Sequence, residues 1–225
     1  MRLNLKQDFH VHCNYNDHSS RNLTIPAIMQ QAKILKLDTL AITEHVRRTS
    51  NWIPKYLKEI NLYNSRLKTN GNGQEFLKII SGFEAKILRD GSIDCPDEYA
   101  REFFLIASFH TIYGDKNLWL NALKTAIRNP DITVLGHLAP EATFILEHSE
   151  LEEIAYEIAI NGKIVELNAK YHRPPIDWIP SFKQKGVKFH LASDAHSLDE
   201  IGQFSRISDL ISAAEDSREL EPSIP

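Results

Sequence analysis

The sequence predicts an α/β fold, a parallel barrel whose functional face lies at the carboxyl ends of its strands. Three observations predict it. Short apolar runs alternate with helix-like segments to give roughly seven β-α units, the pattern of a parallel barrel. Histidines and carboxylates gather in short clusters at the ends of those runs: His10 with His12 and His18, Glu44-His45, Glu84, His110, His137, and Asp194 with His196. A chain of 225 residues with 42% apolar content is long enough for one sizeable core. A single domain over residues 1–218 is therefore expected, with a short tail at 219–225.

The elements follow in order. Leu3 to Phe9 is the first strand and delivers the first histidine pair. Thr24-Ile25-Pro26 supplies an N-cap and a first-turn proline, opening a helix through Leu35 in which Ile28, Ile34 and Leu35 are core. Asp38 to Thr43 is a buried strand. Pro54 to Lys68 is an amphipathic helix closed by Asn70-Gly71-Asn72-Gly73. Phe76 to Phe83 is a strand ending at Glu84, and Asp90-Gly91 marks a turn. Phe103 to Ser108 is a strand ending at His110. Asn117 to Arg128 is a helix stopped by Pro130, and Ile132 to Leu135 leads into Gly136-His137. The remaining units are a helix from Glu150 to Ile160, a strand from Lys163 to Leu167 ending at Asn168, a helix from Ile176 to Lys185 stopped by Gly186, and a strand from Val187 to Ala192 ending at Ser193-Asp194.

Composition removes several functional classes. A formal charge of −4 gives no general attraction to nucleic acid or anionic membrane, so nucleic acid is a disfavoured partner and a small molecule the preferred one. The sequence shows neither an apolar run of about 18 residues nor a secretory leader at Met1, so a cytoplasmic protein without a membrane span is expected. Cys13 and Cys95 form no Cys-x-x-Cys motif and are expected as free thiols. Cys13 is better explained as a small buried neighbour of the histidine pair than as a ligand.

The clusters point to metal. A strand end needs no imidazole for stability, whereas a divalent cation needs neutral imidazole nitrogens and carboxylate oxygens converging from several directions. His10 and His12 are two apart, so on an extended strand they face the same way and can chelate one ion. The same spacing relates Asp194 and His196. Strand ends are rigid positions from which residues distant in sequence can meet.

Taken together, Asp8-Phe9-His10-Val11-His12, Ile42-Thr43-Glu44-His45, Gly82-Phe83-Glu84, Ala107-Ser108-Phe109-His110, Leu135-Gly136-His137 and Ser193-Asp194-Ala195-His196 resemble the PHP (polymerase and histidinol phosphatase) domain superfamily. The resemblance runs from about Asp8 to Ser197. The stretch from Gly82 through Asp90-Gly91-Ser92-Ile93-Asp94 and Pro96-Asp97-Glu98 to His110 looks most like the PHP domain of bacterial X-family DNA polymerases. Glu166-Leu167-Asn168-Ala169 and Arg173 extend that likeness. His18, eight residues after His10, has instead the spacing of stand-alone PHP phosphatases and histidinol phosphatases.

The resemblance implies a distorted (β/α)7 barrel holding up to three divalent ions, zinc, manganese or iron. His10, His12, Glu84 and Asp194 would hold the first, with Glu84 bridging to a second held also by His110 and His137, and His18, His45 and His196 would hold the third. Either Asp17 or His18 fills the position after the first motif, and His18 is preferred. Glu44 stands where relatives more usually have aspartate. Glu44 and Asp8 are candidates for orienting ligand rings by hydrogen bonding.

The implied chemistry is metal-dependent hydrolysis of a phosphate ester. Two ions about 3.5–4 Å apart lower the pKa of a bridging water and hold the hydroxide for in-line attack on phosphorus. Glu84, Asp194 and His196 are the residues expected to matter most for turnover, His196 also as a candidate general acid. Arg173 is the leading candidate for gripping the substrate phosphate, ahead of Arg47, Arg48 and Lys170. A small phosphomonoester is preferred as substrate, histidinol phosphate being one. A phosphodiesterase or 3′-5′ exonuclease is the alternative within the same chemistry, and a non-catalytic metal-binding or interaction module is the alternative from another class. Hydrolysis of a lactone or amide is open to the same activated water.

Overall fold

The computed structural model describes residues 2–16, 18–69, 77–138 and 144–215. The Asn70–Gly73 turn, Phe76 at the start of its expected strand, Asp17 and the tail at 219–225 lie outside the described residues. Seven parallel strands run in the order of the sequence: β1 (Gln7–Val11), β2 (Thr39–Val46), β3 (Lys78–Lys86), β4 (Phe104–Ser108), β5 (Val134–Leu135), β6 (Ile164–Asn168) and β7 (Lys188–Ala192). The helices are α1 (Ile25–Ile34), α2 (Ile53–Thr69), α3 (Asp97–Glu102), α4 (Lys116–Arg128), α5 (His148–Ile160), α6 (Ile179–Gln184) and α7 (Ser208–Glu215).

The sheet curls until β7 meets β1. The Asp194 amide donates to the His10 carbonyl at 2.8 Å, the His12 amide donates to the Ala195 carbonyl at 3.0 Å, and Val11 bridges Ala195. The nearly closed barrel is thus fastened at its carboxyl end by the segments that carry His10, His12 and Asp194. Asp8 reinforces the seam, its carboxylate accepting from the Ser193 amide at 3.0 Å and the Gly202 amide at 2.9 Å.

Local chemistry sets most elements where the sequence puts them. Thr24 caps α1 by accepting from the Ala27 amide at 3.3 Å, and Asp115 caps α4 by accepting from Asn117 and Leu118. Behind β2 and β3 the Tyr56 hydroxyl, buried on α2, donates to the Ile42 carbonyl at 2.6 Å. Phe83 packs among Trp52, Tyr56, Tyr99 and Phe103, fixing the strand that carries Glu84. Among the described residues no helix is long and apolar enough to cross a membrane.

Several details differ from expectation. β1 begins at Gln7, four residues after the expected Leu3, and runs on past Phe9 to Val11. Ile34 is 65% exposed, because Ile25, Ile28, Met29 and Ala32 take the inward face of α1 and leave Ile34 on the opposite side. β2 and β3 continue past the first polar residue, with Glu44, His45 and Glu84 inside the ladder and His45 in register with Glu84. The expected helix from Ile176 to Lys185 is a tight turn at Ile176–Trp178 followed by α6, since Pro180 has no N–H to give the Ile176 carbonyl. Helices α3 and α7 were not foreseen.

Candidate metal centre

β1 and the residue that follows it bring His10 and His12 to the barrel interior, and the turn after β7 brings Asp194 to meet them. His10 Nε2 and His12 Nε2 are 3.1 Å apart, and Asp194 Oδ1 lies 3.2 Å from His12 Nε2 and 4.0 Å from His10 Nε2. Glu84 Oε2 stands 3.6 and 3.7 Å from the same two nitrogens. Donors placed tetrahedrally about 2.1 Å from one ion are about 3.4 Å apart, so these spacings suit a shared cation.

Glu84 presents each oxygen to a different set of rings. Oε1 lies 2.9 Å from His137 Nε2 and 3.2 Å from His110 Nε2, while His45 Nδ1 approaches Oε2 to 2.7 Å. That last contact lacks hydrogen-bond geometry, and Oε2 is a buried oxygen with no hydrogen-bond partner among the described residues. A buried carboxylate oxygen left unpaired is costly unless something else meets it. Among the described residues three groupings have ligand atoms close enough to hold an ion: His10, His12 and Asp194; His45, Glu84 and His110; and His12, His45 and His196.

Electrostatics points the same way. Burial pushes Glu84 and Asp194 upward, but the surrounding rings, His110 and His10 foremost at Glu84 and His10 and His12 at Asp194, outweigh it and hold both carboxylates below their usual range. Burial likewise opposes charge on His12, yet Asp194, 3.2 Å from its Nε2, and the nearby Glu44 carboxylate raise it to about 9. The floor of the site therefore demands positive charge, and divalent ions fit that demand. At the rim, burial lowers His45, and burial with the neighbouring His12 lowers His196 to about 4, leaving neutral rings with lone pairs to donate.

The floor is held from behind. Glu166 Oε2 lies 2.8 Å from His10 Nδ1, which fixes the proton there and turns the Nε2 lone pair inward. Its other oxygen accepts from the His137 amide at 3.0 Å and from Asn168 Nδ2 at 2.5 Å. Asn168 also donates to Asp194 Oδ2 at 3.0 Å, while its own Oδ1 accepts from the Tyr171 amide. Glu44 accepts from the Cys13 and His45 amides, both at 2.8 Å, and lies 3.7 Å from His12 Nδ1. Glu166 was missed as a site residue in the sequence, although it stands two before Asn168 on one strand and so faces the same way.

Backbone conformation marks two of the same residues. His137 has φ of 22° and Asp194 φ of 54°, a region uncommon for non-glycine residues, which Lys36 and His172 also occupy outside the cavity lining. Before His137, Gly136 passes so close to Ser108 Oγ that a Cβ has no room.

A cavity of about 430 Å³ opens above the cluster. His18, His45, Glu84, His110, His137, Asp194 and His196 line it, and Arg47, Lys86, Asp94 and Tyr171 form part of its upper wall. His18 is exposed, its ring edge-on to His45 at 5.3 Å between centroids. Lys170 reaches His196 Nδ1 at 2.6 Å, and Tyr171 covers His137 with 4.7 Å between rings. Arg173 does not line this cavity; its Nη1 donates to the His172 carbonyl.

Comparison with known proteins adds family and fold. A family model of the PHP domain matches residues 8–170. The chain is 26% identical to a probable phosphatase of Acetivibrio thermocellus, over 91% of this chain and 85% of that protein. It is 24% identical to the DNA polymerase/3'-5' exonuclease PolX of Bacillus subtilis over 87% of this chain but 35% of that protein. Among solved structures, a histidinol phosphate phosphatase from Lactococcus lactis, complexed with zinc, L-histidinol and phosphate, superposes with a TM-score of 0.65 at 23% identity. The alignment covers 93% of each chain.

Proposed function

The chain belongs to the PHP domain family, and from that premise we propose that it is a metal-dependent phosphatase of small phosphomonoesters. It is a hydrolase acting on phosphate esters, as its phosphatase-named relatives are described. The observation that carries the reading is Glu84, whose two oxygens face different groups of histidines at the floor of a cavity of about 430 Å³. That volume is in the range of small-molecule sites.

His10, His12, Glu84 and Asp194 would hold one ion, Glu84, His110 and His137 a second, and His45 and His196, with His18 at the rim, a third. Divalent ions there supply Lewis acidity toward phosphoryl oxygens and acidify water at the site. The chain's own side chains do the rest. Glu166 keeps the His10 proton on Nδ1, so that Nε2 faces the ions. Asn168 holds Asp194 with one oxygen free for coordination. The cavity is open above the cluster and leaves room for a phosphate. The enzyme whose fold is shared was solved with L-histidinol and phosphate, so histidinol phosphate is the cationic ester against which anionic ones are to be compared.

The test is hydrolysis of 4-nitrophenyl phosphate beside bis-4-nitrophenyl phosphate, on chelated protein reloaded separately with zinc, manganese or iron. Monoester turnover that dominates and disappears in Asp194→Asn is the expected result. Silence on both esters with metal bound refutes the reading. Likeness to the polymerase-linked domain favours a second reading, a phosphodiesterase, which dominance of the diester would establish.

A further inference from the structure

One wall of the cavity carries charge that the metal cluster does not use. Arg47 and Lys86 both line it. The β2–β3 register pairs Val46 with Ala85 and so sets Arg47 beside Lys86 just past the ladder. Lys86 is two residues beyond Glu84 on β3, hence on the same face and about 7 Å further along the strand. Among the described residues neither cation is paired with a carboxylate. Lys86 is half-buried, where an unmatched ammonium is more costly than in open water. Asp94 shares the wall, but its Oδ1 is taken by the Arg48 amide at 2.9 Å. The wall thus holds two cations to one carboxylate.

The wall is also preformed. Beyond β3 the chain turns back as a hairpin in which the Asp94 amide donates to the Lys86 carbonyl at 3.0 Å and Ile87 bridges Ile93. Gly91 makes the turn at φ of 82° and lies flat on Thr125 of α4, where a Cβ would collide. Lys86 and Asp94 are therefore held by backbone pairing rather than carried on a free loop.

We infer that this wall binds a second anionic group, carried by the alcohol portion of the substrate, so that the substrate class is a small phosphomonoester with an anionic leaving group. The inference rests on the phosphatase reading. The scissile phosphate lies at the Glu84 cluster, and a carboxylate or second phosphate about 7 Å away meets the Arg47 guanidinium and Lys86 ammonium. In the reaction the water oxygen forms a new bond to phosphorus and the bond from phosphorus to the alcohol oxygen breaks. One water proton ends on the alcohol, giving inorganic phosphate and an anionic alcohol. A cationic alcohol such as L-histidinol would face two like charges in the same place.

The experiment measures kcat/KM of zinc-loaded protein on matched pairs: glycerol 3-phosphate against 3-phosphoglycerate, and fructose 6-phosphate against fructose 1,6-bisphosphate, with L-histidinol phosphate as the cationic case. The anionic member should win by about tenfold or more in at least one pair, and which pair it is tells carboxylate from phosphate. L-Histidinol phosphate should be the poorest substrate. Arg47→Gln and Lys86→Gln should each pull the winning ratio toward one, chiefly through KM, whereas a grip on the scissile phosphate would lower both members equally and leave the ratio intact. An unchanged ratio in both variants, or a preference for L-histidinol phosphate, overturns the inference and leaves the phosphatase reading standing. Failure to hydrolyse any of the five with zinc bound overturns the phosphatase reading itself.

Discussion

At the floor of the cluster His10 and His12 are fully buried, and carboxylates engage them from behind. At the rim the side chains of His45, His110 and His196 are 24%, 27% and 19% exposed. The same side chain takes opposite roles in the two places. Floor rings lie among Glu84, Glu166, Glu44 and Asp194, whose field raises their pKa despite burial and calls for a positive charge that a bound cation would supply while the rings stay neutral. At His45 and His196 burial weighs more than the carboxylate neighbours, and their pKa is lowered. The lesson is that backing, not residue type, sets the strength of a proposed ligand. A floor ion should be held by a preorganised set, and a rim ion should exchange with solvent.

The largest effect should come from cutting the floor. Glu84→Gln or Asp194→Asn should lower kcat on 4-nitrophenyl phosphate by at least about a thousandfold, with an unchanged far-ultraviolet circular dichroism spectrum. Each removes a charge on which several rings depend. Substantial turnover in either variant would break the contrast between floor and rim, because the residues with the most ligand-distance contacts would then be dispensable.

Next comes the backing itself. Glu166→Gln keeps the size of the side chain but weakens its grip on His10 Nδ1. Metal affinity should fall about 10–100-fold, measured by zinc competition against a chromophoric chelator. Lys170→Ala, which removes the neighbour of His196 Nδ1 at the rim, should change the same affinity by less than about threefold. Equal effects would mean that the rim is held as firmly as the floor.

Sequence and structure agree most where an element's own residues decide it. Thr24-Ile25-Pro26 and Asp115 declare helix starts, and the alternation of apolar runs declares the strands. All nine proposed ligands lie at the carboxyl face, where the strand-end clusters put them. What escaped depends on partners distant in sequence. Glu166 gains its meaning from His10, 156 positions away, and from the His137 amide. Lys86 matters through a register with β2 that no local pattern reveals. The strand ends at Glu44 and Glu84 were placed too early because a polar residue looks like an exit, whereas inside a barrel it is where the site begins.

A histidine one layer below the floor extends the contrast to stability. His190 is buried between Phe9, stacked at 4.9 Å, and Phe104, and burial lowers it to about 4. Its folded value lies below the 6.5 of an unperturbed imidazole, so the unfolded chain takes up the proton first. The stability this provides is complete above pH 6.5 and is lost as pH falls toward 4, a loss of about 3 kcal/mol across that window. Urea midpoints at pH 7 and pH 4.5 should converge in His190→Gln relative to the parent. Parallel acid sensitivity in both proteins would remove His190 as a cause.

The smallest effect is expected at the outermost ring. His18 is exposed, touches His45 edge-on and belongs to none of the three close ligand groupings among the described residues. If the rim ion is the exchangeable one, His18→Ala should weaken that ion alone. At limiting zinc kcat should drop by less than about tenfold, and saturating zinc should restore it, because mass action refills a weakened site. His45→Ala should not be rescued in this way, since His45 also lies against Glu84 Oε2. The two variants therefore separate a ring that would only recruit the ion from one that also contacts the Glu84 carboxylate. A collapse of His18→Ala to the level of Asp194→Asn, unrelieved by zinc, would place His18 among the floor residues in function despite its position at the mouth.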